Sequence, residues 1–147
     1  MKMNIVLSAL LGAGLLWLAA GCASYNHTQY LVRGPVNIHR KLTPATPLQV
    51  ETVRQVMADV AKRLKFQDRT ERSVVPGVIG TYGEEDKLNP VSFTARLDQG
   101  VIVVDILHQP TSMGESLRYQ QVRDALSAEL QKEFPHECRM AERSKLR

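Results

Sequence analysis

A chain of 147 residues with a net charge of +4 and 5% aromatic content bounds the protein to one modest domain. Its core must rest on Val, Leu and Ile rather than on large rings. Lys and Arg alternate with Glu and Asp instead of clustering, so the basic footprint of a nucleic-acid binder is missing.

The chain opens with Met1-Lys2-Met3-Asn4 and then runs apolar from Ile5 to Leu18, followed by Ala19, Ala20 and Gly21. A positive start, an apolar stretch and a small-residue exit are the parts of a secretory signal. A spanning helix needs roughly 20 apolar residues; this run is shorter and is broken by Gly12 and Gly14. The bland alternative is an uncleaved anchor with Cys22 buried.

The segment Leu18-Ala19-Ala20-Gly21-Cys22 resembles the lipobox of bacterial lipoproteins. The resemblance covers the first 22 residues and implies diacylglyceryl transfer to the Cys22 sulfur, cleavage just before it, and acylation of the new amine. Two or more acyl chains hold a protein on a bilayer stably, whereas one holds it marginally. Ala23, rather than Asp, follows the cysteine. By resemblance to enterobacterial sorting this implies the periplasmic face of the outer membrane.

Residues 1–21 are thus expected to be a signal peptide and 22–45 a lipidated cysteine with a flexible tether. The tether carries Gly34-Pro35 and Pro44 and no sustained period. At its full length it would hold the domain well clear of the headgroups, with Tyr30-Leu31-Val32 and Val36-Asn37-Ile38 adding at most a short edge strand. A single domain is expected over 46–135, and a polar, disordered tail over 136–147.

Thr46, Pro47 and Gln49 read as a capping box with proline at the first helical position. Behind them Val53, Val56, Met57, Val60, Ala61 and Leu64 form one stripe of a 3.6-residue period. Glu51 with Gln55, and Asp59 with Arg63, have the spacing for support along the helix. A second helix is predicted to start at a capping box of Ser112 and Glu115, to bury Tyr119, Val122, Ala125, Leu126, Leu130 and Phe134, and to stop at Pro135.

Between the helices "VSFTARLD" alternates strictly and "VIVVDIL" follows after Gln99-Gly100. A two-residue turn there pairs Leu97 with Ile102, Ala95 with Val104 and Phe93 with Ile106. It sets Arg96 diagonal to Asp105. A further strand is predicted near Val74 to Tyr82, with Pro76 limiting it to an edge or a late start. The expected fold is α+β: two amphipathic helices packed on one face of a small antiparallel sheet, in the order α-β-β-β-α.

The chemistry in reach is slight. Gly77, Gly80 and Gly83 lack the following helix and Lys-Ser/Thr pair of a phosphate loop, and read as a bulged strand end. Glu84, Glu85 and Asp86 lack the spacing of a calcium loop and read as a solvated turn. Asp105 and His108, an odd number apart on one strand, face opposite ways. His27, His39 and His136 fall in the expected tether and tail. No metal site, no cofactor and no catalytic residue is predicted.

The outer face of the last strand carries Val101, Val103 and Leu107, more apolar than solvent requires, and is a candidate docking face. Once Cys22 is acylated, Cys138 is an odd thiol that allows a homodimer through a disulfide. The expected function is a non-catalytic accessory or adaptor lipoprotein, membrane-tethered and docked on an envelope protein. A module that captures a small ligand or lipid between helices and sheet is the alternative, and a hydrolase using His108 a third.

Overall fold

A computed structural model describes residues 26–35, 43–84, 90–108 and 116–141. Cys22 and the lipobox lie outside these residues, as do His39, Glu85, Asp86, Ser112 and Glu115.

The described chain is a mixed α+β fold of two helices and six strands. In chain order these are β1 (Asn26–Val32), α1 (Pro47–Leu64), β2 (Gln67–Asp68), a 3-10 turn (Thr70–Arg72), β3 (Val78–Gly83), β4 (Val91–Asp98), β5 (Val101–His108), α2 (Leu117–Glu133) and β6 (Cys138–Met140). The strands form one antiparallel sheet of order β2-β3-β4-β5-β1-β6.

Helix α1 begins as its local chemistry dictates. The Thr46 hydroxyl accepts from the Gln49 backbone N–H, and the Gln49 side chain accepts in return from the Thr46 N–H, with Pro47 opening the helix. Two orphan donors of the first turn are thereby satisfied, and Pro47 has no N–H to leave unpaired. Val53, Val56, Met57, Val60 and Ala61 are buried, and Leu64 is half-buried against them. The outward side chains pair differently from expectation: Arg54 reaches Glu51, Gln55 donates to Asp59, and Arg63 crosses to Glu129 of α2 at 3.0 Å.

Helix α2 starts at Ser116, whose hydroxyl accepts from the Tyr119 N–H at 3.1 Å. That corrects the start predicted from Ser112 and Glu115. Tyr119, Val122, Leu126 and Leu130 are buried as a stripe, and Phe134 closes the helix at the core.

The β4–β5 hairpin has the predicted register, including Leu97 opposite Ile102, Ala95 opposite Val104 and Phe93 opposite Ile106. Gln99 and Gly100 both have positive φ, 48° and 80°, as a tight hairpin turn demands. Strand β3 starts after the Pro76–Gly77 turn. Its register against β4 shifts between Val78 and Gly80, the bulge anticipated from the glycines. Gly77 has φ 68°, and a Cβ there would lie 2.4 Å from the Leu97 carbonyl oxygen.

Two expectations fail at the ends of the chain. The tether reading fails at Asn26–Val32, a strand inside the sheet, paired along β5 on one side and with β6 on the other, while residues 36–42 lie outside the described residues. Tyr30 and Val32 are buried in the core and the Tyr30 hydroxyl donates to the Arg123 carbonyl at 3.1 Å. The tail reading is wrong for Cys138–Met140, which adds the edge strand β6. The order α-β-β-β-α is therefore incomplete, because β1 precedes it, β2 interrupts it and β6 follows it.

The core joins α1 and α2 to alternate residues of the strands: Tyr30 and Val32, Phe93 and Ala95, Ile102, Val104 and Ile106. Phe66 meets Phe93 edge-on at 5.1 Å, and Tyr82 stacks on Phe93 at 5.3 Å. Burial pushes the Tyr30 and Tyr82 hydroxyls above their ordinary range, because a phenolate would lose its hydration there.

Candidate functional site

Side chains that point away from this core form the second face of the sheet. The register sets His27, Gln29 and Leu31 of β1 beside Leu107, Asp105 and Val103 of β5. Those in turn lie beside Ser92, Thr94 and Arg96 of β4. Side chains two apart on each strand share a face, so this is one continuous surface.

Its centre is polar and ordered. The Asp105 carboxylate, with a side chain 11% exposed, accepts from Gln29 Nε2 at 2.8 Å and contacts His27 Nε2 at 2.7 Å through one oxygen. The other oxygen holds Arg96. The diagonal Arg96–Asp105 pairing read from the sequence is thus present and has two further partners. A buried carboxylate needs this density of donors.

His27 corrects the placement of that residue in a tether without surroundings. Its missed signal is the alternation of Thr28, Tyr30 and Val32, the apolar or core-facing side of a strand. The ring is 42% exposed beside a nearly buried carboxylate. An oriented His–Asp pair serves acid–base chemistry only with a reacting group in hydrogen-bond reach. Among the described residues, Asp105 is the one hydrogen-bond partner of the His27 ring.

The predicted docking residues divide. Leu107 is 43% exposed and Val101 half-buried, but Val103 is only 6% exposed, enclosed between Leu31 and Arg96 in the register. Val103 therefore supports the face rather than offering surface to a partner.

His108 lies on the opposite face, as the odd spacing from Asp105 requires. It is 1% exposed, with its ring 5.6 Å from that of Tyr119. Among the described residues neither ring nitrogen has a hydrogen-bond partner. Nearby, Thr28 Oγ1 and the Tyr119 hydroxyl lie 2.6 Å apart.

Glu84 corrects the reading of a solvated acidic turn. It is buried, accepts from the Val91 N–H at 3.1 Å and pairs with Arg118 Nε at 2.9 Å. Cys138 is also not a tail residue. It is half-buried against the core, and burial pushes its thiol up to about 11.

Among the described residues no group of three or more His, Cys, Asp or Glu side chains is placed to hold a metal ion, and no helix is long and apolar enough to cross a membrane. A surface hollow of about 590 Å³ is lined by Arg54, Arg69, Arg72 and Tyr82 together with Asp68 and Glu71. Another of about 430 Å³ runs between the outer sides of the helices, where Glu51, Asp59, Glu129 and Glu133 share the lining with Lys132, Gln55 and Val56. No protein-family model, curated protein or solved structure matches the chain.

Proposed function

We propose that this chain is a non-catalytic accessory lipoprotein of the bacterial cell envelope. In this reading it is anchored through Cys22 to the periplasmic face of the outer membrane and docks on an envelope protein through the second face of its sheet. The two helices act as a single layer over the other face.

The observation that carries the reading is the second sheet face. It is continuous across β4, β5 and β1, its central charges neutralise one another around Asp105, and Leu107 stands exposed on it. A face whose central carboxylate is already satisfied and that exposes Leu107 offers apolar surface to a partner without adding an unpaired buried charge. The enclosed helix side, with Tyr30, Tyr119, Phe93 and Met57 almost fully buried, gives less support to capture of a ligand between helices and sheet.

The test is crosslinking of the native protein in its membranes, with mass analysis of the residue at Cys22. A single reproducible partner, lost on Leu107→Asp, is expected. A partner retained in that variant refutes the docking face, and an unmodified Cys22 refutes the anchor.

A further inference from the structure

Strand β1 begins at Asn26, four peptide steps after Cys22. Each step spans at most ~3.3–3.6 Å, so the leash reaches no more than about 14 Å. Asn26 is paired with His108, the last residue of β5, and His108 with Val91, the first residue of β4. One end of the sheet is therefore tied close to Cys22. The other end carries the Gln99–Gly100 turn; an eight-residue strand rising ~3.4 Å per residue sets it about 27 Å away.

The helices mark the same two ends. Leu117 opens α2 and is 70% exposed. Its neighbour Arg118 bonds Glu84 at the end of β3 and the Leu64 carbonyl at the end of α1, so Leu117 belongs to the end where β1 starts. Leu48, in the first turn of α1, is 76% exposed. It follows Ala45, whose N–H donates to the Gly100 carbonyl at 2.7 Å, so Leu48 belongs to the far end.

Resting on the proposed acylation of Cys22, we infer that the protein stands end-on at its own bilayer, with the Asn26–His108 end and Leu117 against the headgroups and the Gln99–Gly100 end pointing away. The occupant of the Leu117 end is the lipid surface. The short leash and an exposed leucine set the contact, so it is insensitive to salt. The second sheet face then stands upright beside the membrane, and a partner reaches it laterally.

The acylated mature protein, carrying Cys138→Ser and either Leu117→Cys or Leu48→Cys, is labelled with an environment-sensitive fluorophore and inserted in phosphatidylethanolamine–phosphatidylglycerol vesicles. Nitroxide-bearing lipids are then added as quenchers. The two positions are matched in exposure and differ in end. Quenching at residue 117 is expected to exceed that at residue 48 several-fold, and to hold in 0.5 M salt. Equal or reversed quenching, or a difference abolished by salt, overturns the orientation in a protein whose mass shows the acyl chains. Absence of acyl chains in the protein isolated from its membranes overturns the anchor itself, and this inference with it.

Discussion

Arg118 reaches from the first turn of α2 to Glu84 at the end of β3, with Nε 2.9 Å from a carboxylate oxygen whose side chain is 5% exposed. The same guanidinium bonds the Leu64 carbonyl and lies 4.5 Å from the centre of the Phe66 ring. One side chain thus ties both helices to the sheet. An ion pair this enclosed contributes little net stability over an apolar replacement, but removing one partner leaves the other charge poorly compensated. Arg118→Ala is expected to lower unfolding free energy by about 2–4 kcal/mol, somewhat below the fully buried case because Arg118 is part-exposed. Urea denaturation measures it; a change under about 0.5 kcal/mol contradicts the assignment. Arg118→Lys keeps the charge and loses the fork and the ring contact, and should fall between.

His108 offers the opposite sign. Its ring is buried and neither nitrogen is hydrogen-bonded among the described residues, which costs the desolvation of each group without return. His108→Phe keeps a flat ring beside Tyr119 and removes both unsatisfied atoms. The variant is expected to be more stable by about 1–2 kcal/mol, read as a higher urea midpoint at unchanged slope. A destabilised variant would mean that the imidazole has a partner after all.

What was legible in the sequence follows from how local each signal is. The β4–β5 register was readable because strict alternation on both sides of Gln99-Gly100 leaves one pairing that puts Phe93, Ala95, Ile102, Val104 and Ile106 on one face. Helix α1 carried its own cap in Thr46 and Gln49. Helix α2 was misplaced at its start because Ser112 has a Glu three residues on and Ser116 does not, yet the hydroxyl of Ser116 is the one that caps. Strand β1 was missed for a different reason. Its polar positions Asn26, His27 and Gln29 look like a linker until Asp105, 78 residues beyond His27, supplies the partner. No local pattern reports that pairing, so the polar cluster at the centre of the candidate face was half visible, as Arg96 and Asp105 alone.

The two apolar residues at the middle and edge of that face should respond differently to charge. Val103 is 6% exposed and shares a face with Asp105 two residues on. Val103→Asp buries a second carboxylate beside the first and is expected to cost about 3 kcal/mol or more. Leu107, 43% exposed, should accept Asp within about 0.5 kcal/mol. Circular dichroism with urea titration of both variants checks this. A Val103→Asp protein as stable as the parent would show that the face is open enough for residue 103 to contact a partner directly. The expected result makes Leu107 the right probe for docking and Val103 a probe of folding.

Cys138 sits in β6 opposite Val32, half-buried, and burial raises its thiol from 9.0 to about 11. The thiolate is the reactive form, and a thiol raised from 9.0 to about 11 carries roughly a hundredfold less of it at pH 8 and below. Alkylation by iodoacetamide at pH 8 is therefore expected to be about a hundredfold slower in the folded protein than in urea, before any steric effect. The same shift carries a pH dependence of stability. Between pH 9 and about 11 the unfolded chain releases the proton while the folded one keeps it, so the folded state binds more protons and stability falls as pH rises. Below pH 9 the contribution is fully present, and above about 11 it is lost. Cys138→Ser should flatten that limb of the stability profile. A thiol that reacts at the free-cysteine rate in the folded protein would instead place Cys138 at an accessible surface, where a disulfide between two copies becomes chemically reasonable.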